Sequence, residues 1–183
     1  MKRLFLLLTV TALCLAALPQ TSQAQYYGGG QWLGVDLTLL AGPLGIGVSY
    51  ENGFDKEFGI TADVRYFSWE QNTSNGISVD RSIIYPQVGA SYHFQPQNQI
   101  DPFAGAQIGF MIYSSDASDL PAGENFKDQR SSSFTISLNG GTRYFFTPKI
   151  AGKAMLEFIF GADDYQGDFD EAVFFSLGAE FSL

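Results

Sequence analysis

Trp32-Leu33-Gly34-Val35-Asp36-Leu37-Thr38-Leu39 alternates apolar residues with small or polar ones along most of its length. A two-residue period of this kind is a strand with one apolar and one polar face. The pattern recurs. Leu44, Ile46, Val48 and Tyr50 oppose Gly45, Gly47, Ser49 and Glu51, and Phe58, Ile60, Ala62, Val64 and Tyr66 oppose Thr61, Asp63 and Arg65. Ile84, Val88, Ala90, Tyr92 and Phe94 stand against Gln87, Gly89, Ser91 and His93. Ala104 to Ile112, Phe134 to Phe146, Ile150 to Phe160 and Val173 to Leu183 continue it. Eight strands follow, with no helical segment competing.

Composition assigns the two faces. No apolar-face position is charged, whereas the opposite face carries Asp36, Glu51, Asp63, Arg65, Arg143, Lys153, Glu157 and Glu180 among Gly, Ser, Thr, Gln and Asn. It also carries Trp32, Phe67, Tyr85 and Phe103. A water-washed surface would be about 25–35% charged with few large rings. The polar face therefore reads as an interior and the apolar stripe as a lipid contact. That describes an all-β fold, an antiparallel up-and-down eight-stranded transmembrane β-barrel with a polar lumen. Mean hydropathy near zero agrees, because lipid-facing and lumen-facing residues cancel within any window. Eight strands leave an interior just wide enough for side chains to fill, which argues against a general porin. The expected filling is an ion-pair network of Asp36, Asp63, Arg65, Arg81, Arg143, Lys153, Glu157 and Glu180. A narrow ion path along these groups is the alternative.

The chain of 183 residues opens with Lys2 and Arg3, an uncharged, mostly apolar run from Leu4 to Leu18, and small residues at Ser22 and Ala24. This order predicts a cleaved signal peptide over residues 1–24, a flexible leader over 25–31 and one barrel over 32–183. Cleavage removes Lys2 and Arg3 and takes the formal net charge from −9 to −11. Such a balance repels phosphate backbones and excludes nucleic acid as a natural partner. The single cysteine, Cys14, lies within the leader, so the mature protein has no disulfide or thiol chemistry.

With the N-terminus periplasmic, the even connections are short, near residues 52–57, 95–100 and 147–149. The odd ones are long and polar at 71–80, 115–131 and 161–171, except for the tight first turn at Ala41-Gly42-Pro43. Outer-membrane barrels segregate loop length in this way. Tyr50, Phe58, Tyr92, Phe94, Tyr144 and Phe146 collect near the short turns, as expected of an interfacial aromatic girdle. Pro86 lies inside the fourth strand, where a bulge or a missing ladder bond is expected.

These features resemble the small outer-membrane β-barrel domain family, to which OmpX and the OmpA membrane domain belong, across essentially the whole mature chain. The most specific element is Ser176-Leu177-Gly178-Ala179-Glu180-Phe181-Ser182-Leu183. The family's last strand typically reads polar-x-Gly-x-x-aromatic-x-hydrophobic. The resemblance implies that Ser176, Gly178, Phe181 and Leu183 form the signal read by the barrel assembly machinery, here with Leu in place of the more usual terminal Phe. It also implies contact with outer-membrane lipids and lipopolysaccharide, periplasmic termini, and no cofactor.

Three chemistries compete with a non-enzymatic barrel that works through its outer loops in membrane integrity, adhesion or partner docking. A lipid A-modifying barrel needs a histidine near the outer rim, and His93 falls beside a short turn instead. Asp163, Asp164, Asp168, Asp170 and Glu171 could hold a divalent cation through oxygen ligands, although their spacing is not that of an EF-hand. A soluble exported barrel binding an apolar ligand, as lipocalins do, would require the apolar face to point inward.

Overall fold

The computed structural model describes residues 30–40, 43–72, 78–117, 129–161 and 171–183. The leader segment and most of the acidic 161–171 connection lie outside these residues. Eight strands, β1 (Gln31–Leu40), β2 (Leu44–Gly53), β3 (Phe58–Asn72), β4 (Ser78–His93), β5 (Ile100–Ala117), β6 (Gln129–Thr147), β7 (Ile150–Phe160) and β8 (Glu171–Ser182), pair antiparallel in chain order. β1 also pairs with β8, which closes the barrel. Gln31, read from sequence as leader, is the first residue of β1 and pairs with Asn52.

The barrel is inside-out. Leu156, Phe158 and Ile136 lie outside at 47–50% exposure, while Arg143 and Glu157 lie within at 1% and 0%. This arrangement rules out the apolar-ligand barrel, whose greasy face would have to point inward. The outward apolar run goes from Ile84 on β4 to Phe94, just past the end of that strand. Ten residues at ~3.3 Å rise and ~40° tilt span ~25 Å, the height of the lipid band on outer-membrane barrels.

Pro86 breaks the β4–β5 ladder without shifting it. Ile84 pairs with Ile112 and Gln87 with Gly109, in one register, while Tyr85 and Pro86 have no β5 partner. Loss of the single bond from the missing Pro86 N–H to the Phe110 carbonyl accounts for both gaps. Of the two outcomes expected there, the missing bond is the one found. The register irregularity lies elsewhere, between Phe145 and Thr147 on β6, opposite Ala151 and Ile150.

Strands β3 to β6 are longer than the sequence reading allowed. The connections read as 71–80 and 115–131 begin and end inside strand, at Asn72, Ser78, Ala117 and Gln129. β2 leaves β3 after the Gly45–Phe67 pair, and β7 leaves β6 after the Ile136–Phe160 pair. Beyond those points β3 to β6 continue as an open four-stranded wall at the end carrying the long connections, here called the loop end. Gln31, Leu183 and the short turns share the opposite, turn end.

Candidate functional site

The lumen is filled in layers. Nearest the turn end, Trp32 and Phe145 (centroids 5.5 Å apart) form a small apolar cap with Ala151. Above it six titratable groups meet. His93 Nδ1 lies 2.6 Å from Asp101 Oδ2 and Nε2 lies 2.8 Å from Glu51 Oε1. Each ring nitrogen therefore faces a carboxylate. Arg143 pairs with Glu51 through Nη2 and with Glu180 through Nε at 2.5 Å, and Lys153 Nζ donates to Glu180 at 3.0 Å. Three carboxylates thus face Arg143, Lys153 and the imidazole. The Arg143 guanidinium also lies over the Phe103 ring at 5.5 Å.

A middle layer holds Arg65, which is 1% exposed. Arg65 Nη1 pairs with Glu157, and its Nε approaches Asp36 at 4.0 Å. Thr38 donates to Asp36 at 2.6 Å and meets the Ser176 hydroxyl at 2.8 Å. Gln107 donates to Thr61 at 2.9 Å and to Asp63. Between these two charged layers lies a cavity of about 20 Å³, lined in part by Asp63, Gln107, Lys153 and Glu180. That is room for a water or two, not for an ion file.

The third layer is apolar and takes up Phe67 and Tyr85, two of the rings expected on the inner face. Leu40, Phe67, Ile83, Tyr85, Met111, Ile159, Ala172 and Phe174 pack into an apolar plug toward the loop end. Gly45 makes room for it, since a Cβ there would lie 2.4 Å from the Phe67 ring. Gly47 similarly leaves space for Asp36.

Seven of the eight expected network residues share the polar layers. Arg81 does not: it sits on the wall above the plug, in register with Trp69 and Ser115. Glu51, His93 and Asp101 are part of the cluster although the expected network left them out. Their signal was parity, since Glu51 is in phase with Ser49, His93 with Ser91, and Asp101 with Phe103 and Gln107. His93 is completely buried at the turn end, so it has no access to lipid at the opposite rim.

The expected girdle residues lie on the outer face near the turn end. Phe58 meets Tyr92 at 4.9 Å, Tyr92 meets Phe94 at 5.1 Å, and Tyr144 meets Phe146 at 5.1 Å. Tyr50 is half-buried on β2, in register with Leu33 and Ala62. Tyr92 donates to Glu57 at 2.9 Å, and Tyr144 accepts from Gln99 at 3.0 Å. Of the expected assembly signal, Ser176 and Gly178 face the lumen side, where a Cβ on Gly178 would lie 2.8 Å from Asp36 Cβ. Phe181 points outward between Leu33 and Ile150, and the Leu183 N–H donates to the Gln31 carbonyl at 2.9 Å.

On the wall, three outward rows run across the strands in register. The apolar row Tyr66–Ile84–Ile112 gives way to the serine row Ser68–Ser82–Ser114. Glu70 then pairs with Asp80. Among the described residues no group of three His, Cys, Asp or Glu side chains is arranged to hold a metal ion.

Among solved structures, the neisserial surface protein NspA is similar at TM-score 0.62 and 14% identity, covering 84% of this chain and 95% of its own. The N-terminal β-barrel domain of Pseudomonas aeruginosa OprF gives 0.56 and 14%, covering 88% and 100%. Yersinia pestis Ail, in complex with the heparin analogue sucrose octasulfate, gives 0.55 and 13%, covering 84% and 99%. At these identities the likeness is one of fold. No curated protein sequence matches the chain. Residues 5–181 match the family described as Outer membrane protein beta-barrel domain, and the chain belongs to that family.

Proposed function

We propose that the protein is a non-enzymatic outer-membrane anchor that presents the β3–β6 wall and the loop-end connections for adhesion or partner docking. The wall carries this reading. Four strands are prolonged past the point where the barrel opens, and on β3 and β4 the outer face turns from apolar to serine and then to acid, at Glu70 and Asp80. A barrel serving only the bilayer has no need of that extension. The plug and the charged layers fill the interior, which supports a rigid support over a conduit.

In this reading the signal peptide 1–24 is removed, the termini face the periplasm, and the barrel assembly machinery reads Ser176 to Leu183. Lipids and lipopolysaccharide cover the apolar face. The polyanion in the Ail complex is a poor guide to the ligand here. Segments 68–82, 114–132 and 161–171 hold 11 of the 19 Asp and Glu residues but only three Lys or Arg. A sulfated sugar would meet like charge.

The test replaces residues 70–80 with Asn-Gly, a two-residue hairpin. The variant is expected to reach the outer membrane at normal yield while adhesion of expressing cells to one another or to a protein-coated surface falls severalfold. Adhesion equal to wild type would overturn the reading. In intact cells bearing the unaltered protein, protease should cut within 118–128 and spare 54–57.

A further inference from the structure

We infer that the outer face around Pro86 is a lipid site, selective for an acyl chain that carries a hydroxyl group within its first few carbons. The site lies below the wall, within the lipid band, and is independent of the docking reading above.

Pro86 leaves one backbone acceptor without a donor. The Phe94 N–H bonds the Pro102 carbonyl at 2.9 Å, so even-numbered residues of β4 and β5 exchange the ladder bonds between those strands. The register runs through Ile84–Ile112 and Gln87–Gly109, which sets Pro86 opposite Phe110 in that series. The Phe110 carbonyl therefore points at a ring nitrogen that has no hydrogen. Among the described residues no other group donates to it.

Depth makes that vacancy matter. Four residues separate Phe110 from Ser114 in the serine row, or ~10 Å of depth at ~3.3 Å rise and ~40° tilt. Headgroups take up ~5–8 Å on each side of a bilayer. With the bilayer surface where the outward side chains turn polar, the carbonyl lies just inside the hydrocarbon. An unpaired carbonyl is costly there, and no bulk water reaches it.

A trough leads to the carbonyl. In register, Ala62 stands between Tyr50 and Val88, and Pro86 between Val64 and Phe110. The short Ala62 and Pro86 side chains leave a groove of about 480 Å³, with the Phe110 and Phe134 rings, 5.6 Å apart, at one side. Small-molecule sites run to ~300–1,000 Å³. The outward side chains are aliphatic or aromatic, as an acyl chain requires. A hydroxyl a few carbons from the headgroup reaches the depth of Phe110 and supplies the donor that Pro86 lacks. A plain chain fills the same trough and leaves the carbonyl unpaired, which is the basis of selection. One rival donor faces the lumen. Gln87 accepts from Ser137 at 3.2 Å through Oε1, while its buried Nε2 has no hydrogen-bond partner among the described residues.

The test uses the full mature barrel in phospholipid nanodiscs, whose leaflets are alike, so the result does not depend on which end faces outside. Phe-Met occurs once, at Phe110-Met111, so carbonyl-labelled phenylalanine with amide-labelled methionine isolates this carbonyl as one NMR signal. The probes are the methyl esters of tetradecanoic and 3-hydroxytetradecanoic acid, with binding followed on the Val88 methyl signals. The hydroxy ester should half-saturate at a mole fraction at least fivefold below that of the plain ester. It should also move the Phe110 carbonyl downfield, toward its position in Pro86→Ala, where a restored N–H pairs it. Pro86→Ala should abolish the preference, and Ala62→Phe, which fills the trough, should weaken hydroxy-ester binding at least fivefold. Equal binding of the two esters would overturn the inference, as would a preference that survives Pro86→Ala, full binding in Ala62→Phe, or barrels that pair through this face. A carbonyl already at the paired position before ester is added would also overturn it. The donor would then be Gln87 if Gln87→Met releases the carbonyl, and water if it does not.

Discussion

Arg143→Met tests whether ion pairs hold the lumen. The guanidinium pairs with Glu51 and with Glu180, whose Oε2 is 2.5 Å from Nε. Two unit charges about 4 Å apart attract by about 4 kcal/mol at an effective dielectric of 20, so removing Arg143 forfeits about 8 kcal/mol of attraction. Against this, the loss relieves repulsion from Lys153, which shares Glu180 with the guanidinium. One relieved contact of similar size brings the net to about 4 kcal/mol, within the roughly 3–5 kcal/mol that breaking a buried pair costs. Met keeps most of the aliphatic volume, so the cavity contribution is small. The measurement is equilibrium guanidinium unfolding in lipid vesicles, followed by tryptophan fluorescence. Adding Glu180→Gln should recover part of the loss, since one uncompensated carboxylate is then removed. Arg130→Met on the exposed wall should change stability by about 0.5 kcal/mol or less. A loss below about 1 kcal/mol for Arg143→Met would mean that water screens this layer, and the account of the lumen would fail.

Three further outcomes follow from the same structure. Leu156→Arg on the lipid face should cost about 2–4 kcal/mol in the vesicle assay, and a neutral result would contradict the outward assignment of that stripe. Gly89→Ala should destabilise by about 1–3 kcal/mol, because the new Cβ would sit 2.1 Å from the Ala106 carbonyl oxygen. Gly140→Ala, whose Cβ would meet only the Phe103 carbonyl oxygen at 3.7 Å, should be neutral; equal losses at the two sites would remove the steric explanation. Phe181→Ala combined with deletion of Leu183 should lower the outer-membrane level severalfold in fractionated cells, and normal insertion would show that the last strand is not the assembly signal.

The two-residue period carried most of the fold because it is a local property of each strand. Val35 and Asp36 point to opposite faces whatever their partners are, so strand number and face assignment were legible. Inward charges of both signs on that period also exposed most of the lumen chemistry. Pairing within the lumen was not legible, because Arg65 and Glu157 are 92 positions apart and meet only after closure. Asp101 was overlooked because it follows a turn directly, and Arg81 was misplaced because parity fixes the face and leaves depth open. Depth hid the plug too. Phe67, Tyr85 and Phe174 are inward by alternation, and only the shear of the closed barrel stacks them into one layer.

Closure and polarity together locate the membrane boundary. In hydrocarbon every backbone donor and acceptor must be paired, so a spanning sheet has to close; in water an edge can be solvated. The β3 side of the sheet opens after Phe67, and the β6 side opens beyond Ile136. The outward side chains change from Tyr66 to Ser68, from Ile84 to Ser82, from Ile112 to Ser114 and from Phe134 to Ser132. The hydrogen-bond ladder and the side-chain chemistry are independent, yet they switch within a few residues of each other on the edge strands. A bilayer surface at the serine row accounts for both. Below it the edges must be sealed, and above it water can solvate them.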